Sequence, residues 1–129
     1  MKTILCIDDD PIRYTRFNKT YLDVQVIVTC RLEEVRFYLE GCRTYNIIGI
    51  CLDHDMPYVT GDYFARYLLN DYPDIPVVIT SNNLPGAETI ESILLCQAGR
   101  TRETVVRSPA NTREEWPIKV INYFQDRIT

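Results

Sequence analysis

Short β-branched, apolar runs alternate along the chain with longer segments whose apolar residues recur at helical spacing. The runs are Thr3–Ile7, Val24–Thr29, Ile47–Leu52, Val77–Thr80 and Thr104–Val106. Each is nearly continuously apolar, the pattern of a strand buried on both faces of a parallel sheet. Helices are expected between them near 11–20, 32–41, 61–71 and 86–98, with a last one near 114–127. Leu32, Val35 and Leu39 share one helical stripe; Phe64, Tyr67 and Leu68 share a second. Ile90, Ile93 and Leu94 form a third, and Val120, Ile121 and Phe124 a fourth.

Start and stop signals agree with this reading. Thr112-x-x-Glu115 has the form of a capping box, Thr60 that of an N-cap, and Gly41 and Gly99 that of C-terminal stops. Pro117 fits a helix only within about its first turn, so the last helix is expected to begin later than its capping box suggests. Five strands alternating with five helices imply β-α crossovers and a parallel sheet covered on both faces. No internal repeat, low-complexity tract or linker interrupts the pattern, and 129 residues fit one domain spanning 1–129. In open sheets of this kind ligands bind outside the carboxyl ends of the strands, which decides where chemistry is to be sought.

Composition narrows the function classes. Apolar residues are 46% and charged residues 25%, ordinary values for a globular protein. A net charge of −4 argues against general binding of nucleic acids or membrane surfaces, although Arg100, Arg102 and Arg107 fall close together late in the chain. Five cysteines (Cys6, Cys30, Cys42, Cys51, Cys96) contain no C-x-x-C pair, which speaks against a zinc site and a disulfide framework. Cys6 and Cys51 lie inside strand runs and are expected to pack as small hydrophobes. Ile4–Ile7 is too short for a secretion signal and runs straight into three aspartates, and no stretch is long enough to span a bilayer. The expected location is the cytoplasm.

Three strand ends carry polar chemistry: Asp8-Asp9-Asp10-Pro11 after the first, Asp53-His54-Asp55-Met56-Pro57 after the third, and Thr80-Ser81-Asn82-Asn83 after the fourth. Converging carboxylates repel, and at neutral pH they raise a pKa or hold a cation. Oxygen ligands without thiol or paired imidazole point to a hard ion, magnesium first and manganese or calcium next. A carboxylate beside such an ion can attack a phosphoryl group, and a Ser or Thr hydroxyl nearby can hold a transferred oxygen. The plainer reading is that Asp8 to Asp10 solvate a loop and cap a helix; a second acidic cluster at a neighbouring strand end weighs against it.

Ile-Asp-Asp-Asp-Pro at 7–11, Asp53-x-x-Met56-Pro57-x-x-x-Gly61 and Pro76-Val-Val-Ile-Thr-Ser81 resemble the landmarks of two-component receiver domains, in order and approximate spacing. The resemblance covers essentially the whole chain. It implies a doubly wound (βα)5, flavodoxin-like α/β fold with a five-stranded parallel sheet in the order 2-1-3-4-5. Carried over by position, Asp8 and Asp9 resemble the family's metal-binding acidic pair and Asp53 its phosphoryl-accepting aspartate. The backbone carbonyl of Asp55 matches a further metal ligand, and Ser81 the hydroxyl that contacts the phosphoryl group. Mg²⁺ is the implied cofactor, with Mn²⁺ as a substitute, and a histidine kinase or other phosphodonor and a downstream protein are the implied partners. Leu52-Asp53-His54-Asp55, Thr60-Gly61-Asp62-Tyr63 and Ser81-Asn82-Asn83-Leu84-Pro85-Gly86 are similar to a narrower subgroup, the cyclic-phosphate-processing receivers.

Two positions depart from the receiver pattern. Where the family has a Lys-Pro pair after its fifth strand, this chain has Arg107-Ser108-Pro109. Arg107 is expected to supply the missing cation; if Ser108 is the equivalent position instead, no cation remains in that role. Thr104 falls near the place of the family's aromatic switch residue. His54, the only histidine, is a candidate for acid-base chemistry or ligand binding beside a structural role. Asn82 and Asn83 fit phosphate binding or plain turn chemistry. Tyr58, Tyr63, Tyr67 and Tyr72 fit packing better than base stacking, and Trp116 is expected near the same sheet edge. Three functions compete: a stand-alone receiver-like signalling module accepting phosphoryl on Asp53, with output by protein–protein contact; a metal-dependent phosphoesterase or cyclic-phosphate-processing enzyme using Asp53, His54 and Asp55; and a phosphorylation-independent binding module.

Overall fold

The computed structural model describes residues 1–20 and 23–127. Five parallel strands form one sheet in the order β2-β1-β3-β4-β5, as expected. They are β1 (Lys2–Ile7), β2 (Val24–Thr29), β3 (Ile47–Leu52), β4 (Val77–Ile79) and β5 (Val105–Arg107). β1 and β4 differ from the expected spans by one residue at one end, and β5 by one at each end, as element boundaries commonly do.

Side-chain alternation along the inner strands divides the core in two. Leu5 and Ile7 of β1, Ile50 and Leu52 of β3, and Val77 and Ile79 of β4 face one side. There they meet Val35 and Leu39 of α2 (Leu32–Glu40), Phe64 of α3 (Gly61–Tyr67), and Ile90 and Leu94 of α4 (Leu84–Leu95). Ile4, Cys6, Cys51 and Val78 face the other side, against Phe17 of α1 (Phe17–Thr20) and Trp116, Val120, Ile121 and Phe124 of α5 (Glu115–Gln125). Each fully buried Leu, Ile or Phe contributes about 1.5–3 kcal/mol, which explains why the inner strands have no polar alternation. Cys6 and Cys51 are partners across the β1–β3 register and are both fully buried.

The helices depart from expectation in instructive places. Instead of one helix over 11–20, the chain makes a 3-10 turn at Pro11–Tyr14 and then the short α1. The Asp10 carboxylate caps this turn by accepting the Ile12 N–H at 3.1 Å. Arg13 and Tyr14 are tied back to Asp8 at the end of β1, which holds the turn tight. In the segment expected as one helix over 61–71, α3 stops at Tyr67 and a 3-10 turn follows at Leu69–Asp71. Buried Arg100 donates to the carbonyls of Leu69, Tyr72 and Ile75 at 2.8–3.0 Å, fastening the turns that follow α3.

The segment α4 begins two residues before the expected start because Asn83 caps it, accepting the Gly86 N–H at 3.1 Å. It ends at Leu95, and Gly99 adopts φ +88° beyond it. The Thr112 capping box does not form: α5 starts at Glu115 with no side-chain cap. Pro117 then falls in its first turn, where a missing N–H costs nothing. Gly41 ends α2, and Thr60 precedes α3 at the N-cap position, although its hydroxyl bonds Asp62 rather than the helix backbone.

Candidate functional site

The strand ladder continues one residue past each inner strand and so sets the acidic side chains in register. Asp8 donates its backbone N–H to Thr29 at 3.1 Å, Asp53 to Ile7 at 3.0 Å, and Thr80 to Leu52 at 2.9 Å. As a result the carboxylates of Asp8, Asp9 and Asp53 converge, with one oxygen from each lying within 4.8 Å of the others. Asp8 and Asp53 are buried and Asp9 faces solvent. Three carboxylates with no thiol or imidazole among them fit a hard divalent ion such as Mg²⁺.

Burial pushes the Asp8 carboxyl up to about 6; the Tyr14 hydroxyl pulls against this, and the neighbouring Asp53 adds to it. The Asp8 Oδ1 accepts the Asp10 N–H at 3.0 Å, while Oδ2 accepts from the Tyr14 hydroxyl at 2.7 Å. That hydroxyl also lies 3.0 Å from the Thr80 Oγ1, so Tyr14 links the ends of β1 and β4. Burial likewise raises Asp53, opposed by the His54 backbone N–H, by Arg13 and by the Ser81 hydroxyl.

Among the described residues, Arg13 is the cation that touches these carboxylates. Its Nη1 lies 3.2 Å from the Asp8 Oδ2 and 3.5 Å from the Asp53 Oδ1, and its Nε 3.6 Å from the Asp10 Oδ2. Burial alone would make the guanidinium easier to deprotonate, but the attraction of Asp8 and Asp53 raises its pKa above the ordinary value. Arg107 is directed elsewhere, with Nε 3.4 Å from Glu91 and Nη1 3.9 Å from Glu88, both on α4. Ser108 is buried, and its hydroxyl accepts the Trp116 indole N–H at 3.1 Å. Among the described residues, neither Arg107 nor Ser108 makes an ion pair or hydrogen bond to the three carboxylates.

Ser81 is buried beside Asp53, and its Oγ accepts the Asn83 N–H at 3.1 Å. Asn83 reaches on to the exposed Asp55, donating from Nδ2 at 3.0 Å. The Asp55 carboxyl is held below its usual range by His54 first and by Asn83 second. His54 places Nδ1 2.7 Å from Asp55 and Nε2 3.5 Å from Asp62, so carboxylates face both ring nitrogens. The ring lies over Gly86 so closely that a Cβ there would come within 2.5 Å of it. The histidine therefore fastens the loop after β3 to the starts of α3 and α4. Gly61 has a comparable reason: a Cβ would sit 2.0 Å from the Asp53 carbonyl oxygen, and only glycine admits that approach.

An open cleft of about 540 Å³ adjoins the acidic group. Arg13 lines it together with Asp10, Ile12, Asn82, Asn111 and Thr112. Arg16 also lines this cleft, and its guanidinium donates to the backbone carbonyls of Asn111, Thr112 and Arg113 at 2.8–3.0 Å. Sequence reasoning did not single out Arg13 or Tyr14, and it did not foresee that Thr80 would bond Tyr14. The one available signal was Asp10-Pro11, which starts a turn directly after the acidic pair and so folds residues 13 and 14 back over it.

No protein-family model and no curated protein matches the chain. Solved structures do. The chain is similar to a response regulator receiver domain protein from Clostridium thermocellum, with 23% identity, 98% of this chain and 97% of that one covered, and a TM-score of 0.64. It is similar to a CheY-like receiver domain protein from Methanospirillum hungatei JF-1, with 14% identity, 98% and 96% coverage, and a TM-score of 0.65. A third is the beryllofluoride-activated NtrC4 receiver domain dimer, with 17% identity, 98% and 99% coverage, and a TM-score of 0.66. At these identities the likeness is one of fold: this chain has the fold seen in receiver domains. Among the described residues no helix is long and apolar enough to cross a membrane.

Proposed function

We propose that the chain is a phosphoacceptor module that takes a phosphoryl group on Asp53. The observation that carries this reading is the convergence of Asp8, Asp9 and Asp53 within 4.8 Å, with the Ser81 hydroxyl on the acceptor. An Asp53 carboxylate oxygen attacks phosphorus, and the bond from phosphorus to the donor's nitrogen or oxygen breaks. The leaving group departs with that electron pair and takes a proton from solvent, and Asp53 is left as a mixed carboxylic-phosphoric anhydride. Asp8, Asp9, Asp53 and the backbone carbonyl of Asp55 would hold Mg²⁺, with Mn²⁺ as a substitute. The bound ion supplies neutralisation of charge on the transferred oxygens. Ser81 would donate its O–H to one of those oxygens while its Oγ accepts the Asn83 N–H.

The donor in this reading is a histidine kinase or another phosphodonor in the cytoplasm, and output is a contact with a downstream protein. The fold shared with receiver domains supports this over phosphate-ester hydrolysis. So does His54: its nitrogens face Asp55 and Asp62, an arrangement suited to bracing a loop rather than to moving a proton at Asp53. Acetyl phosphate with Mg²⁺ tests the proposal. Intact mass spectrometry is expected to find one phosphoryl adduct on the wild type and none on Asp53→Ala; no adduct on the wild type at saturating Mg²⁺ would contradict it.

A further inference from the structure

We infer that Arg13 is the phosphoryl-binding cation of this site, holding the acidic group together until a divalent ion takes over the carboxylates. The inference rests on the phosphoacceptor reading above and names a residue for it. A phosphoryl dianion arriving among three carboxylates needs positive charge beyond one divalent ion. Arg107 is engaged by Glu88 and Glu91, and the Ser108 hydroxyl by Trp116. Arg13 is the side chain in place: a single nitrogen, Nη1, spans Asp8 and Asp53 at 3.2 and 3.5 Å.

The same guanidinium lines the 540 Å³ cleft, so it borders both the carboxylates and that open space. Its two roles use the same atoms in sequence. With the carboxylates bare, Arg13 neutralises Asp8 and Asp53, two buried charges that would otherwise repel. When a divalent ion claims those oxygens, Arg13 loses its partners there and can turn to the oxygens of a group bonded to Asp53, whose Oδ1 lies 3.5 Å from the Arg13 Nη1. A planar fork of donors is well matched to phosphoryl oxygens.

This arrangement predicts effects of opposite sign in one variant, which a merely structural arginine would not give. Calorimetric titration of the full chain with Mg²⁺ alone, and then with beryllofluoride at saturating Mg²⁺, reads both. Arg13→Ala is expected to bind Mg²⁺ more tightly, by about threefold to tenfold, because a competing cation is gone. The same variant is expected to bind beryllofluoride about tenfold or more weakly, because a charged donor is gone. Arg13→Lys is expected to fall between it and the wild type in both titrations, and its retained charge guards against loss of the fold. Arg107→Ala is expected to change neither. Unchanged beryllofluoride affinity in Arg13→Ala and Arg13→Lys, or effects of the same sign in both titrations, would overturn the role of Arg13 while leaving the acceptor role of Asp53 standing. A wild type that binds no beryllofluoride, behaving like Asp53→Asn, would overturn both.

Discussion

The Tyr14 hydroxyl donates to the Asp8 Oδ2 at 2.7 Å, deep enough that both residues are almost wholly shielded from solvent. The bond converts a buried carboxylate from an unsupported charge into one with a fixed partner, and its geometry depends on the tight turn at Pro11–Tyr14. Removing the hydroxyl tests this directly. Tyr14→Phe leaves the Asp8 and Thr80 oxygens without that partner and should cost about 1–3 kcal/mol of stability. Urea denaturation, read by Trp116 fluorescence, checks the value; a change below about 0.5 kcal/mol would mean that water replaces the bond.

Acid should stabilise the metal-free protein. Asp8 has its folded pKa raised to about 6, and that of Asp53 is also raised, each chiefly by burial. The unfolded carboxyl lies near 3.9, so between roughly pH 4 and 6 the folded state binds more protons. Stability from these groups is present below that window and lost as pH rises through it, by about 2 kcal/mol. Asp55 and Asp62, whose pKa values are lowered, act in the opposite sense but chiefly below the window. Thermal melts in chelator are expected to give a higher Tm at pH 5 than at pH 7.5, and Mg²⁺ affinity is expected to rise over the same interval. A Tm that increases steadily from pH 4.5 to 7.5 without metal would contradict the burial of these charges.

Asp9→Asn and Asp53→Asn should each weaken Mg²⁺ binding by at least about tenfold, since each removes a charged oxygen from a small oxygen-only group. Calorimetry at neutral pH measures this. Affinity equal to the wild type's in both variants would remove the ion from the account.

The His54–Gly86 contact predicts a non-additive pair. Gly86→Ala drives a Cβ into the imidazole and should cost about 1–3 kcal/mol. In a His54→Ala background the ring is gone, and the same change should cost little, or gain slightly from helix propensity. A double-mutant cycle in urea reads the difference. Additive effects would place the ring elsewhere.

The sheet and its acidic edge were legible in the sequence because they depend on local pattern. Buried parallel strands leave continuous apolar runs, and aspartates directly after two such runs are brought together once the strands pair. What was not legible depends on packing between distant elements. Arg13 and Tyr14 read as the face of a first helix, and only the 3-10 turn sends them back to Asp8. The outward set of Arg107 arises because α4 packs beside β5 and presents Glu88 and Glu91 to it. The anchoring of Ser108 requires an indole eight residues later on a helix that crosses the opposite face. The Thr112 capping box failed for a related reason: Arg16 draws the backbone carbonyls of residues 111–113 into a loop of their own.

On the proposed function, Asp53 is the residue that receives phosphoryl. Borohydride reduces an aspartyl phosphate to homoserine, which marks the modified position permanently for peptide mapping. After treatment with acetyl phosphate and Mg²⁺, the account predicts homoserine at position 53, absent when Mg²⁺ is omitted. Homoserine at position 8 or 9 instead, or no reduction product at any aspartate despite a phosphoryl adduct, would contradict it.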